Sequence, residues 1–595
     1  MYKMYNMKIR SKFFAMVLAS LLMAGCQDEI QDSENSGKTD ISVLDGYVKV
    51  AINMPSTVGT RAARTYDNGI ADEYQVNEAI IVFFAGDKAG TEAEAYFTKA
   101  YNLNLNMNVN TAAGQITSTS DAYIMEAPVV TDDKQLYALV IINPNSVVKL
   151  GADGESLTVN DVEINASSKL DAFQTKLFGG NISAAAFTDA ADLTGKSFTM
   201  TNAPLSDKNG QNLTGANATT LVPVTVYETR EEAAIAQSAQ IYVERVVAKV
   251  SATVNTSITD SDVAAENGGV VVKVDEDSQY AGDHVELTGW TLNVANRSTR
   301  LVRDVSGFDT WIGYDASSIP ERFVENDPIK VSAGKYRINW AVDGNYDSSS
   351  ESYDASTDFI TYTATDAPSW TTAWKETDTD PKANVAYCLE NTFAVGDMDR
   401  DKTTSLLVKA VYRRAVDAEV KDFFVVGSTG ASLSAEDFIK YLQANIVELS
   451  GADINILPTA AGGYYNKTGD KTLNQLVSAT KDGAAVEDLD RYFNNIGVIK
   501  YYKDGTTYYY ASPIRHFGDV ETGWDDGEPY EEAKHLGRYG VVRNTWYQLT
   551  VNKISRPGEP EIPDTPNIPD DQQEAYINVQ VNILSWAVRQ NNVDL

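Results

Sequence analysis

The sequence is poor in the residues that carry most protein chemistry. Only two cysteines occur among 595 residues, Cys26 and Cys388, so no disulfide framework holds the fold. Cys388 lies in Tyr387-Cys388-Leu389-Glu390-Asn391, an apolar context without a nearby histidine, and reads as a buried structural thiol. The three histidines, His284, His516 and His535, are scattered without the spacing of a helical metal face and read as surface or loop residues. Basic residues number 49 against 83 acidic ones, for a net charge of −34. Such a chain repels phosphate backbones, which excludes nucleic acid as a natural partner. No G-x-S-x-G elbow and no Walker loop are present. Asp397-x-Asp399-x-Asp401 imitates the start of a calcium loop, but Lys402 stands where its glycine belongs and Val408 where its glutamate belongs, so an EF-hand is rejected. We expect no enzyme, no catalytic residue, no metal and no cofactor.

What is present begins with an address. Lys3, Lys8, Arg10 and Lys12 precede an apolar run from Phe13 to Met23, the layout of a secretory signal and too short for a membrane span. The run ends Leu22-Met23-Ala24-Gly25-Cys26, which resembles the lipobox whose cysteine becomes an acylated first residue. Met23 stands where leucine is commoner. Gln27-Asp28-Glu29, Asp32 and Glu34 then form an acidic tether that cannot fold alone.

A first strand follows, with Val48, Val50, Ile52 and Met54 alternating with Lys49, Ala51 and Asn53, the period of a half-buried strand. Pro55 stops it. Gly59-Thr60-Arg61-Ala62-Ala63-Arg64 has the small, flexible character of an exposed site for a trypsin-like protease. Apolar strands separated by polar, glycine-containing loops continue to about residue 238. A second series opens at Ile241–Val250 and closes with Gly540–Val551, and Asp504-Gly505 is a hairpin signal within it. One helix is clear: Ser434 and Asp437 cap a segment whose Phe438, Tyr441, Leu442 and Ile446 share a face. With 32 tyrosines and hydrophobic residues at 43%, the pattern is an all-β chain of sandwich architecture with a few short helices.

After Val551 the composition changes. From Pro557 to Pro569 prolines recur about every third residue, a polyproline II period whose twelve steps reach about 37 Å at ~3.1 Å each. This reads as a semi-rigid arm projecting the last segment from the body. That segment, Ala575-Tyr576-Ile577-Asn578-Val579-Gln580-Val581-Asn582-Ile583 followed by Leu584, Trp586 and Val588, alternates and then shifts phase, as a bulge would allow. Residues 48–54 (V-K-V-A-I-N-M) and 577–583 (I-N-V-Q-V-N-I) each present four apolar side chains on one face, so either could fill the same groove. An unpaired apolar strand needs a host sheet. A neighbouring copy could supply it by donor-strand complementation, or the segment could fold back as the last strand of its own domain.

These segments together resemble the fimbrillins of Bacteroidales, in particular the main structural subunit of minor fimbriae, a type V pilus. The carriers are the lipobox at Cys26, the strand before Gly59-Thr60-Arg61-Ala62, Phe198–Asn202, Val243–Lys249, Tyr539–Tyr547, and the end from Val579 to Leu595 with Trp586. The resemblance covers most of the chain but is thin inside each domain. It implies two transthyretin-like β-sandwich domains, a Pro-rich arm and a donor strand. The expected division is 1–25 signal peptide, 26–61 lipidated propeptide with the removable strand, 62–238 and 239–556 the sandwiches, 557–573 linker and 574–595 donor strand. It further implies a palmitate-bearing lipoprotein precursor held in the cell outer membrane through Cys26 and a cut between Arg61 and Ala62 by an arginine-specific protease. The removable strand (Val48, Val50, Ile52, Met54) would then be replaced by a neighbour's donor strand (Ile577, Val579, Val581, Ile583, Trp586, Val588). Arg64 is a second possible cut. Expected partners are other copies of the chain and the anchor and tip subunits of an adhesive surface fimbrium. The alternatives are a monomeric surface lipoprotein or a fimbrial tip adhesin binding glycans or host proteins. Polar insertions at Ser348–Asp358 and Asp519–Glu532 do not align with the family pattern.

Overall fold

The computed structural model describes residues 45–53 and most of 73–585, omitting chiefly 106–122, 178–183, 188–196, 315–321, 327–333, 346–354, 375–383 and 573–576. Fifteen strands matter here. In chain order they are β1 (Asp45–Asn53), β2 (Ala79–Asp87), β3 (Tyr96–Asn102), β4 (Tyr123–Pro128), β5 (Lys134–Ile142), β6 (Met200–Asn202), β7 (Ala239–Arg245), β8 (Val247–Val254), β9 (Val270–Lys273), β10 (His284–Asn293), β11 (Val385–Leu389), β12 (Ser405–Arg413), β13 (Thr506–Pro513), β14 (Thr545–Ile554) and β15 (Ile577–Ser585). The fold is all-β with short helices, as the alternation and the scarcity of helical periodicity require.

The first sheet runs β3-β2-β5-β6-β7-β1-β4, with Val222–Val224 also paired to β5. Its middle strands are apolar without interruption: Ala79 to Phe84 and Ala138 to Ile142 are all buried, the signature of strands covered on both faces. Val246, buried between β7 and β8, is where the chain leaves this sheet for the next. The apolar run read from sequence as one strand, 241–250, is therefore two strands in different sheets. The second sheet is ordered β11-β8-β14-β15 and the third β9-β10-β12-β13. They face each other across a common core that includes Val250, Val254, Val285, Trp290, Val408, Tyr412, Tyr547, Leu549 and Val551, the layering of a β-sandwich.

Helix α1 (Arg230–Ile235) is capped by Thr229 and Glu232. Helix α2 (Ala435–Asn445) starts where expected, with the Ser434 hydroxyl accepting the Asp437 amide at 3.0 Å. Phe438, Leu442 and Ile446 are buried in a separate core built on Phe423–Val426 and Ile499–Tyr502.

Asp504-Gly505 does form a turn, with positive φ at both residues, but it does not close a hairpin. Ile499–Tyr502 pairs with Phe423–Val426, whereas β13 pairs with β12. A Cβ on Gly505 would lie 2.5 Å from the Tyr412 carbonyl oxygen, so the glycine serves a close crossing between two sheets.

Candidate strand-exchange site

β1 occupies an interior position in its sheet. On one side it pairs in parallel with β7, from Val50↔Ala239 to Asn53↔Tyr242. On the other it pairs antiparallel with β4, from Asp45↔Pro128 to Val50↔Tyr123. Among the described residues β1 is the ladder partner of β4. Val48, Val50 and Ile52 have 0% exposure, which at about 1.5–3 kcal/mol for each side chain makes the strand a substantial part of the core. On the opposite face the Lys49 ammonium donates to the carbonyls of Ala234 and Ala236 at 2.7 and 2.9 Å, satisfying the C-terminal end of α1. The Tyr47 and Tyr227 amides and carbonyls bond reciprocally at 2.8 Å. Met54, Arg61, Ala62, Arg64 and Cys26 lie outside the described residues.

The described residues resume at Glu73, which the sequence does not single out. It is fully buried. Its Oε1 lies 2.8 Å from the Lys249 ammonium and accepts the Tyr387 hydroxyl at 2.6 Å. Its carbonyl accepts Arg245 Nε at 2.9 Å. The Lys249 ammonium in turn sits 3.9 Å from the centre of the Trp546 ring, a cation–π contact in a dry site. Residue 73 is thus tied to β7, β8 and β11 independently of β1. Severing the chain between residues 54 and 72 would cut β1 from the body without touching that anchor.

β15 lies antiparallel on β14, from Thr545↔Ser585 to Ile554↔Ile577. β14 is paired in parallel with β8 on its other side, from Lys249↔Trp546 to Val254↔Val551. Of the two arrangements open at the sequence level, folding back onto the chain's own sheet is the one adopted here. The register break falls between Val551 and Lys553 on β14, not between Ile583 and Leu584 as the sequence phase suggests. Trp586 and Val588 lie outside the described residues.

The Pro-rich arm corrects a second expectation. It does not project; residues 556–572 are strapped along the body. The amide and carbonyl of Glu559 bond those of Tyr508 at 2.7 and 2.8 Å, and the Tyr502 hydroxyl donates to the Gly558 carbonyl at 2.8 Å. Glu559 pairs with Lys500 at 2.6 Å and Glu561 with Lys471. Ile562 is buried. The period of three shows an extended backbone, but acids between the prolines find lysines on the body, and that side-chain chemistry decides where the arm lies.

The strap ends in two carboxylates. The Asp570 amide donates to the Met398 carbonyl at 3.1 Å, and its Oδ2 accepts the Thr403 hydroxyl at 2.7 Å. Asp571 receives a bidentate pair from Arg538, Nε and Nη2 each at 2.9 Å. Arg515 at 3.1 Å, Tyr539 at 2.7 Å and Tyr530 at 2.9 Å complete its shell. Burial pushes the Asp570 carboxyl well above its ordinary range, against the Thr403 hydrogen bond and the Arg400 charge. Burial acts on Asp571 in the same direction, but the Arg538 bonds and charge outweigh it and hold that carboxyl below the usual range.

Asp397 and Asp399 are paired with the Lys402 ammonium at 2.7 and 3.4 Å, which puts a cation of the chain itself at the calcium-like triplet. Two histidines read as surface or loop residues are buried, His516 in a loop and His535 at the end of a short helix. His516 Nδ1 is 2.7 Å from the Tyr547 hydroxyl and its Nε2 3.0 Å from the Asn339 carbonyl. His535 packs beside Tyr530. Cys388 is buried, and burial pushes its thiol up to about 12.

Residues 500–592, which span β13, β14, the strap and β15, match the model of the major fimbrial subunit protein type IV, fimbrillin, C-terminal family. The C-terminal segment of this chain is similar to that of the fimbrillins. Solved structures that align with it include a fimbrilin from Porphyromonas gingivalis W83, 13% identical, covering 91% of this chain and 99% of that one with a TM-score of 0.31. The tip fimbrial protein Mfa3 of Porphyromonas gingivalis, with a C-terminal truncation, is also 13% identical and covers 90% of this chain and 100% of that one at a TM-score of 0.24. The fimbrial anchor protein Mfa2 of the same organism is 8% identical and covers 74% and 98% at 0.16. No curated protein matches the chain in sequence.

Proposed function

We propose that this chain is a structural subunit of a bacterial surface fimbria, exported as a lipoprotein through Cys26, matured by a cut after Arg61, and polymerised by donation of its C-terminal strand to a neighbour. The observation that carries this reading is the placement of β1. It fills an interior strand position with Val48, Val50 and Ile52 fully buried, yet its covalent link to the Glu73 anchor runs through a segment containing Arg61 and Arg64. Loss of β1 would leave β7 and β4 flanking an apolar groove. An incoming strand would run parallel to β7 and antiparallel to β4, as β1 does. Residues 577–583 of another copy repeat the apolar alternation of 48–54 and suit that groove.

In this reading β15 on its own β14 is the resting position before assembly, and the other members of the fibre are further copies together with anchor and tip subunits. The C-terminal fimbrillin match supports the fimbrial assignment. The self-pairing of β15 favours the second reading, a surface lipoprotein or tip adhesin that keeps its last strand at home and binds glycans or host proteins.

Replacing Val579, Val581 and Ile583 together by Asp separates the two. Fibre formation after processing should be lost while the thermal transition of the body stays cooperative. Undiminished polymers from that variant would overturn the donor assignment.

A further inference from the structure

The strap is held to the body by side chains as well as by backbone. From Glu559 to Asp571 the arm is bonded by paired backbone groups, by ion pairs with Lys471 and Lys500, and by the Asp570 and Asp571 contacts with Thr403, Arg515 and Arg538. Gly558 fits so closely that a Cβ there would lie 2.1 Å from the Tyr508 carbonyl oxygen. Arg538, at 2% exposure, and Asp571 form a charge-assisted bidentate pair in a mostly dry setting, the geometry in which such pairs hold best. β15 pairs with β14 through an antiparallel ladder and is the last strand of its sheet among the described residues.

We propose that the Asp570–Asp571 clamp stays closed in the assembled fibre and is the fixed point from which β15 is handed to the neighbour. This rests on the strand-donation reading above. The five-residue step from Gln572 to Ile577 spans at most about 18 Å. The start of the donated strand therefore stays within that distance of the donor's clamp. The neighbour's β1 groove must open beside the face of the donor that carries Asp519, Tyr530, Arg515 and Asp571, and successive copies abut there. The arm does not act as a spacer between them. The partner for this face is a second copy of the chain, presented by the end of its first sheet where Ile577 would enter.

Two disulfide staples test the proposal in the full-length protein, processed with an arginine-specific protease. Asp399 and Pro569 face each other as bridge partners, and Thr550 and Gln580 are partners in the β14–β15 ladder. Asp399→Cys with Pro569→Cys locks the arm on the body. Thr550→Cys with Gln580→Cys locks β15 on β14. The arm-stapled protein should polymerise like the wild type, with the same axial repeat by electron microscopy. The strand-stapled protein should remain monomeric until reductant is added. An arm staple that blocks assembly, or that shortens the repeat, would overturn the clamp as fixed point while leaving strand donation intact. A strand staple that leaves assembly unaffected would instead overturn the strand-donation reading itself.

Discussion

Glu73 shows what a single carboxylate does when it is buried with its counter-charge. It lies at 0% exposure against an equally buried Lys249, so neither charge is screened by water and removal of one strands the other. Breaking such a pair from one side costs about 3–5 kcal/mol, whereas replacing both partners by apolar groups of similar volume is far less costly. We expect Glu73→Gln to lower the urea midpoint by an amount corresponding to that range, and Glu73→Leu combined with Lys249→Met to recover most of it. Equal losses in the single and double variants would show that packing, and not the charge, anchors residue 73. This role was not legible in the sequence. Glu73 is one of 83 acidic residues and stands beside Asp72 with no periodicity to mark it; its partners come from β8 and β11, more than 170 positions away in sequence. Cys388, in contrast, was legible, because its apolar neighbours already place it in a core strand.

At the scale of elements, local alternation carried the most information. The period-2 pattern of 48–54 marks β1, that of 577–583 marks β15, and the Ser434 cap marks α2, since each depends on neighbours along the chain. Features that depend on a distant partner were not readable. The Asp504-Gly505 turn looks like a hairpin, but each flank finds its ladder elsewhere, Ile499–Tyr502 on Phe423–Val426 and β13 on β12. The proline period correctly indicates an extended arm, yet its direction is set by Lys471, Lys500 and Arg538, which lie in other parts of the chain. The fit at Gly558 makes the arm's docking testable as an element. Gly558→Ala places a methyl against the Tyr508 carbonyl, and overpacking of this kind costs about 1–3 kcal/mol. The arm should become more susceptible to proteolysis between residues 557 and 572, while the first sheet retains its hydrogen-exchange protection. An arm that stays resistant would mean that its lysine and arginine contacts suffice without the close backbone approach.

For the molecule as a whole, the sequence-level fold class stands: an all-β chain in which short helices decorate sheets, with Val246 passing the chain from one sheet to the next. A net charge of −34 makes copies repel one another at long range, so any assembly must rest on short-range burial of the kind a strand inserted into a sheet supplies. β1 and β15, the strands proposed to exchange, are each seated in a sheet of their own chain, and the described body nearest to each in sequence carries a buried carboxylate anchor, Glu73 for β1 and Asp571 for β15. The most direct test is intact mass and gel filtration of the full-length protein before and after cleavage by an arginine-specific protease, with the double variant Arg61→Ala, Arg64→Ala and a deletion of residues 574–595 as comparisons. A product beginning at Ala62 that forms a ladder of oligomers, absent from both comparison proteins, is the expected result; a correctly cut product that stays monomeric would contradict the strand-exchange account.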